Sequence, residues 1–142
     1  MRVVLDTTLL VSLALSPRGP LARIRHYLQA GHFAVLTTAY TLGECGDALL
    51  HPSVAMRHGL TPEAIGDLLI LFSQEAIHPT AIPHVSRDPH NDALFACALE
   101  GEADFIVSDN PALRDVTSPP GPRVISSGAF LAILEAEGGE TP

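Results

Sequence analysis

Arg2-Val3-Val4-Leu5-Asp6 runs from a basic residue through three aliphatic side chains and stops at a carboxylate. A short, unbroken aliphatic run of this kind reads as a strand buried on both faces, as in a parallel sheet. An acid at the carboxyl end of such a strand opens onto the crevice where α/β sheets bind ligands. Three later acids, Glu44, Asp92 and Asp109, also lie at the edges of apolar segments. Several carboxylates at one sheet edge repel one another unless a cation neutralises them. Oxygen-only donor sets of this kind suit Mg²⁺ or Mn²⁺.

Outward from this strand, strand and helix patterns alternate. Leu9, Leu10, Leu13 and Ala14 form a helical stripe, broken by Ser16-Pro17-Arg18-Gly19-Pro20. A second helix is predicted over 21–30, with Gly31 closing it. Residues 33–36 read as a strand. Thr37 and Thr38 are candidate caps for a helix over 39–50 that stops before Pro52. Thr61-Pro62-Glu63 joins a capping Thr, Pro at the first helical position and an acid in the first turn, which predicts a helix to about Glu75. Beyond it the pattern gives a strand over 76–82, a polar loop over 86–91 and a helix over 92–99 that Gly101 ends. A strand over 104–107, a helical turn over 110–114 and a strand at Val124-Ile125 come next, and Ser126 caps a last helix to about Glu135. Strands separated by helices predict the α/β class: a single-domain three-layer sandwich with a central, mostly parallel sheet flanked by helices. The domain is predicted over 1–136, with 137–142 a disordered tail.

A chain of 142 residues suits one domain, and 46% hydrophobic content readily supplies its core. No apolar run approaches the roughly 18 residues of a membrane span. The apolar segment 9–15 follows an acid and lacks a basic leader, unlike a signal peptide. Cys45 and Cys97 both lie in helical patterns, which predicts a reduced, cytoplasmic protein. Sixteen acids against eight basic residues, all of them Arg, leave a net charge of −8. That balance argues against broad, non-specific nucleic-acid binding. It is compatible with an enzyme that grips a short phosphate stretch through cations and a few Arg side chains. The seven histidines show no paired zinc-ligand spacing. His84 and His90 flank the Asp92 segment, but cation-assisted hydrolysis needs no histidine base.

Taken together, these residues resemble the PIN domain, a metal-dependent ribonuclease fold that includes many bacterial toxins. Val3-Val4-Leu5-Asp6-Thr7 is similar to the family's opening strand and first acid. Residues 10–24, with their Pro-Arg-Gly-Pro break, resemble a subgroup of toxin components. Residues 38–52 look like the acid-bearing helix, with Glu44 as the second acid. Asp88-Pro89-His90-Asn91-Asp92-Ala93-Leu94-Phe95 resembles the third motif, with Asp92 as its acid. Ala103-Asp104-Phe105-Ile106-Val107-Ser108 is similar to the strand that leads to a fourth site. Two positions depart from the pattern. Thr8 stands where members commonly carry Asn. Asn110 stands where the fourth acid is expected, two residues after Ser108, with Asp109 one residue early.

The resemblance implies an endoribonuclease that hydrolyses RNA phosphodiesters with Mg²⁺ or Mn²⁺. Asp6, Glu44 and Asp92 would hold the metal and carry catalysis, Asp109 and Asn110 are further candidate ligands, and Thr7, Asp88 and Ser108 would support them. It also implies the toxin role of a type II toxin–antitoxin pair. The antitoxin would lay a segment, with an Arg, across the acidic crevice. A homodimer is expected too, with the stripe Ile65, Leu68, Leu69 and Phe72 either packing on the partner or filling the chain's own core. Thr8 and Asn110 keep a second reading open, a PIN domain with weakened catalysis that binds RNA or protein. A phosphotransferase of the haloacid dehalogenase type would need an Asp two residues after Asp6 and a Lys; this chain has Thr8 and no Lys.

Overall fold

The computed structural model describes residues 1–77, 89–114 and 122–138. Among them, five parallel strands form one sheet: β1 (Arg2–Leu5), β2 (Ala34–Thr37), β3 (Glu75–Ala76), β4 (Phe105–Val107) and β5 (Arg123–Ile125), in the order β3-β2-β1-β4-β5. β1 is central, pairing Val3 with Val35 on one side and with Phe105 on the other. Its side chains alternate between two cores. Val3 and Leu5 join Val35 and Val107 on one face, while Val4 joins Leu36 and Ile106 on the other. An uninterrupted apolar strand is the sequence signature of a sheet covered on both sides.

The helices are α1 (Thr7–Leu15), α2 (Pro20–Gln29), α3 (Ala39–Leu50), α4 (Pro52–His58), α5 (Pro62–Phe72), α6 (Pro89–Glu100), α7 (Pro111–Arg114) and α8 (Ser127–Gly138). Side chains of α1, α2, α3, α5 and α8 build the first core. There Phe130 meets Phe33 edge-to-face at 4.9 Å between ring centroids, a pairing worth about 1 kcal/mol beyond its burial. The opposite core is built from Leu94, Phe95, Cys97 and Ala98 of α6 with Leu113 of α7. This is the expected three-layer α/β sandwich, with a sheet that is parallel throughout the described strands.

The chain steps outward from β1 to β2 to β3, then returns through α6 to β4 on the other side of β1. The direction of winding therefore reverses between β1 and β4, and a crevice opens there at the carboxyl ends of the strands. Asp6 leaves β1 and Ser108 leaves β4 on its two sides.

Several boundaries differ from the sequence expectation. A separate α4 follows α3 at once: His51 accepts the Ser53 N–H, Pro52 fills the first position, and Gly59 ends the helix at φ 63°. Proline here ends one helix and starts the next, since the first position needs no N–H. α5 stops at Phe72, three residues early, because Glu75 pairs with Leu36 in β3 and its carboxylate takes the Arg2 guanidinium at 2.6 Å. α6 begins at Pro89, three residues earlier than expected, so Asp92 lies within its first turn. α8 runs to Gly138. Of the strand expected over 76–82, residues 78–82 lie outside the described residues, as do His84, Asp88 and 139–142. Ile65 and Phe72 are buried in the first core and Leu68 and Leu69 pack against it, so the α5 stripe is core.

Candidate active site

Asp6 caps α1. Its backbone is extended, and its Oδ1 accepts the Leu9 N–H at 2.7 Å. Asp is among the strongest N-caps because its oxygen satisfies a free N–H of the first turn. The other oxygen, Oδ2, accepts the hydroxyl of Ser108, which is fully buried. Ser108 Oγ in turn accepts the Asn110 N–H at 3.1 Å. One hydroxyl thus ties the end of β1 to the turn after β4, across 102 residues of chain.

Thr7 carries the contact sideways: its hydroxyl donates to Glu44 Oε1 at 3.1 Å. Glu44 is half-buried on α3. Thr38, the last residue before α3, accepts the Thr41 N–H at 3.1 Å and fixes the start of that helix. Asp92 is 3% exposed.

A cavity of about 490 Å³ opens at this edge. Its polar wall is formed by Asp6, Thr7, Thr8, Asn91, Asp109 and Asn110, and Leu9, Ser12 and Leu21 complete it. Asp6, Thr7, Asp109 and Asn110, all singled out from the sequence, therefore meet at one cavity. Glu44 reaches it through Thr7, and Asp92 follows the wall residue Asn91. Ser108 stands behind Asp6. Asp88 lies outside the described residues. Asn91, expected in a polar loop, lies in the first turn of α6 and lines the wall. Ser12 and Leu21 carry no signal in the sequence, since their place depends on how α1 and α2 pack.

The last two candidates are engaged in the fold. Asp109 Oδ1 accepts the Ser127 N–H at 2.8 Å, and its Oδ2 accepts the Ser127 hydroxyl at 2.7 Å. Asn110 Oδ1 accepts the Ala112 N–H at 3.1 Å and starts α7.

Among the described residues, the donors in the wall are carboxylate, hydroxyl and amide oxygens, which fits a hard divalent cation. They do not form a closed cage: among the described residues, no three His, Cys, Asp or Glu side chains are grouped so as to hold a metal ion. Asp6, with Glu44 and Asp92 acting through water, is the set that would hold such a cation, because Mg²⁺ keeps several waters and uses only one or two direct carboxylates. Burial pushes the thiols of Cys45 and Cys97 from 9.0 up to about 11, with Glu100 adding to the effect on Cys97, so both stay protonated at neutral pH.

A doubly covered parallel sheet with acids near its switch point defines an α/β domain with a candidate ligand crevice at the carboxyl edge. The chain belongs to the PIN-domain family, whose model matches residues 2–112. PIN domains are generally nucleases that use divalent metals. No curated protein and no solved structure matches the chain. Among the described residues, no helix is long and apolar enough to cross a membrane.

Proposed function

We propose that the protein is a divalent-metal-dependent endoribonuclease, with Mg²⁺ or Mn²⁺ as its cation, acting in the cytoplasm as the toxin of a type II toxin–antitoxin pair. The observation that carries the reading is the position of Asp6. It stands at the switch point of a PIN-family sheet, oriented by Ser108 and linked through Thr7 to Glu44. A bound divalent cation supplies positive charge beside the phosphate and makes water more acidic. The protein's own part is positional. Ser108 holds Asp6 Oδ2, Thr7 holds Glu44, and the polar wall gives the phosphodiester a place beside them.

The substrate is a polyanion, yet the chain carries −8 and no Lys. Affinity must therefore draw on uncharged contacts as well as on the cation and a few Arg side chains. Tyr40 is 64% exposed on the first turn of α3, four residues before Glu44 and so on the same helix face. An exposed aromatic ring there suits stacking on an RNA base next to the cut. An antitoxin would compete for the same edge with an Arg directed at the carboxylates. Homodimer formation remains part of the proposal, but the apolar stripe of α5 faces its own core.

A second reading has its own support. Asp109 and Asn110 are held by backbone N–H groups, which favours a domain with weakened catalysis that binds RNA or protein. One experiment separates the two. Purified protein is incubated with mixed RNA in Mg²⁺, in Mn²⁺ and in chelator, beside Asp6→Asn and Glu44→Gln. Cleavage that needs metal and is lost in Asp6→Asn supports the enzyme. RNA bound but uncut with either metal supports the binding module, and unchanged cleavage by Asp6→Asn overturns the site assignment.

A further inference from the structure

α1 is apolar apart from Thr7, Thr8 and Ser12. Thr7 donates to Glu44. Thr8 and Ser12 are four residues apart, so they share a helix face, and both line the cavity. Asn91 reaches the same cavity from α6, which covers the other side of the sheet, and Leu21 reaches it from α2. Among the described residues, no hydrogen bond engages the side chain of Thr8, Ser12 or Asn91. Asp6, Asp109 and Asn110, by contrast, are bonded into the fold. Ser12 lies about 9 Å along α1 from Asp6, at 1.5 Å of rise per residue. The cavity therefore extends from a carboxylate rim into a neutral part lined by hydroxyls, an amide and Leu side chains. Its volume of about 490 Å³ exceeds what a phosphate with its cation fills. It falls within the roughly 300–1,000 Å³ of small-ligand pockets, which join apolar walls to a few polar groups.

We propose that this neutral part binds the nucleoside next to the scissile phosphate, and that Ser12, Asn91 and Leu21 are its specificity-determining residues. The place given to the phosphate rests on the nuclease reading above. A nucleoside has no charge, so the acidic balance of the chain does not repel it. Its sugar and base edge carry both donors and acceptors, and the Ser12 hydroxyl and the Asn91 amide can serve either. The flat face of the base packs on Leu21. Tyr40 is not part of the wall, so its ring addresses a different nucleotide.

The test uses neutral nucleosides, which need neither cation nor phosphate contact. Amide chemical shifts of the isotope-labelled full chain are followed in chelator as adenosine, guanosine, cytidine and uridine are added one at a time to millimolar concentration. At least one should move the amides of Thr8, Ser12 and Asn91. Ser12→Ala and Asn91→Ala should each weaken its binding about threefold or more, the loss of one hydrogen bond. Leu21→Trp, which fills the cavity, should abolish it; if that variant does not fold, the two alanine variants decide. The proposal is overturned if no nucleoside moves these amides, or if both alanine variants bind like wild type. RNA cleavage in Mg²⁺ or Mn²⁺ by the wild type keeps the two readings apart. Metal-dependent cleavage without nucleoside binding sinks only the nucleoside pocket. Nucleoside binding without cleavage keeps the pocket and counts against the nuclease.

Discussion

Asp6→Ala and Asp6→Asn should differ in stability by an amount set by the two bonds of this carboxylate. Oδ1 accepts the Leu9 N–H at 2.7 Å and Oδ2 accepts the buried Ser108 hydroxyl. Alanine removes both. The cap contributes about 1 kcal/mol, and a hydrogen bond to a charged group about 1.5–3 kcal/mol. Asp6 is half-buried, so water recovers part of the second term and the expected loss is about 2–3 kcal/mol. Asparagine keeps an acceptor for Leu9 and is as good a cap. Its amide can donate to Ser108 Oγ, which has a second lone pair beyond the one taken by Asn110. The expected loss for Asn is about 1 kcal/mol or less. Urea unfolding in chelator measures the gap. With a slope of about 1–3 kcal/mol per molar, the two midpoints should stand about 1 M apart. Midpoints within about 0.2 M of each other, given such slopes, would refute the claim that Asp6 ties α1 to β4.

Three other outcomes are expected. The Cys45 and Cys97 thiols rise from 9.0 to about 11 on burial, and the fold favours their protonated form. Their contribution is therefore fully present below pH 9 and is lost as pH climbs through 11, up to about 2–3 kcal/mol per thiol. Urea midpoints should fall more steeply in wild type than in the Cys45→Ala/Cys97→Ala double variant, and parallel curves would count against it. Gly101→Ala would place its Cβ 2.7 Å from Leu36 Cδ1 and 2.9 Å from the Cys97 carbonyl oxygen. Relieving that overlap should cost about 1–3 kcal/mol, read as a lower Tm; an unchanged Tm would mean that α6 yields freely there. Tyr40→Ala should weaken binding of a short single-stranded RNA about tenfold, measured by anisotropy in chelator, while Tyr40→Trp should bind like wild type. Equal affinities would remove stacking from the binding account.

What the sequence disclosed follows local physics. β1 is legible because three aliphatic residues and a terminal acid leave few other readings. The α5 start is legible because Thr61, Pro62 and Glu63 each act within one turn, and Thr61 does accept the Ala64 N–H at 3.1 Å. Asp6 stands out in the sequence because it ends a buried strand, and it lines the cavity at that edge. Features that depend on distant partners were hidden. The end of α5 is set by Arg2 and Leu36, some 73 and 39 residues from Glu75. The engagement of Asp109 is set by Ser127, 18 residues on. The helix expected from Asp92 starts at Pro89, and α4 is hidden because Pro52 reads as a stop when it also opens the next helix.

The pairing of Asp6 with Ser108 also has a consequence for biosynthesis. The two residues are 102 positions apart, and the ribosome adds about 5–20 residues per second. For several seconds after Asp6 is made, the hydroxyl that orients it does not exist. β1 likewise waits for Phe105, Ile106 and Val107 to cover its second edge. A growing chain therefore carries the first acid early and completes its setting late. For a protein whose substrate would be RNA, a nascent chain still lacks the oriented Asp6 while it is tethered beside the messenger being read.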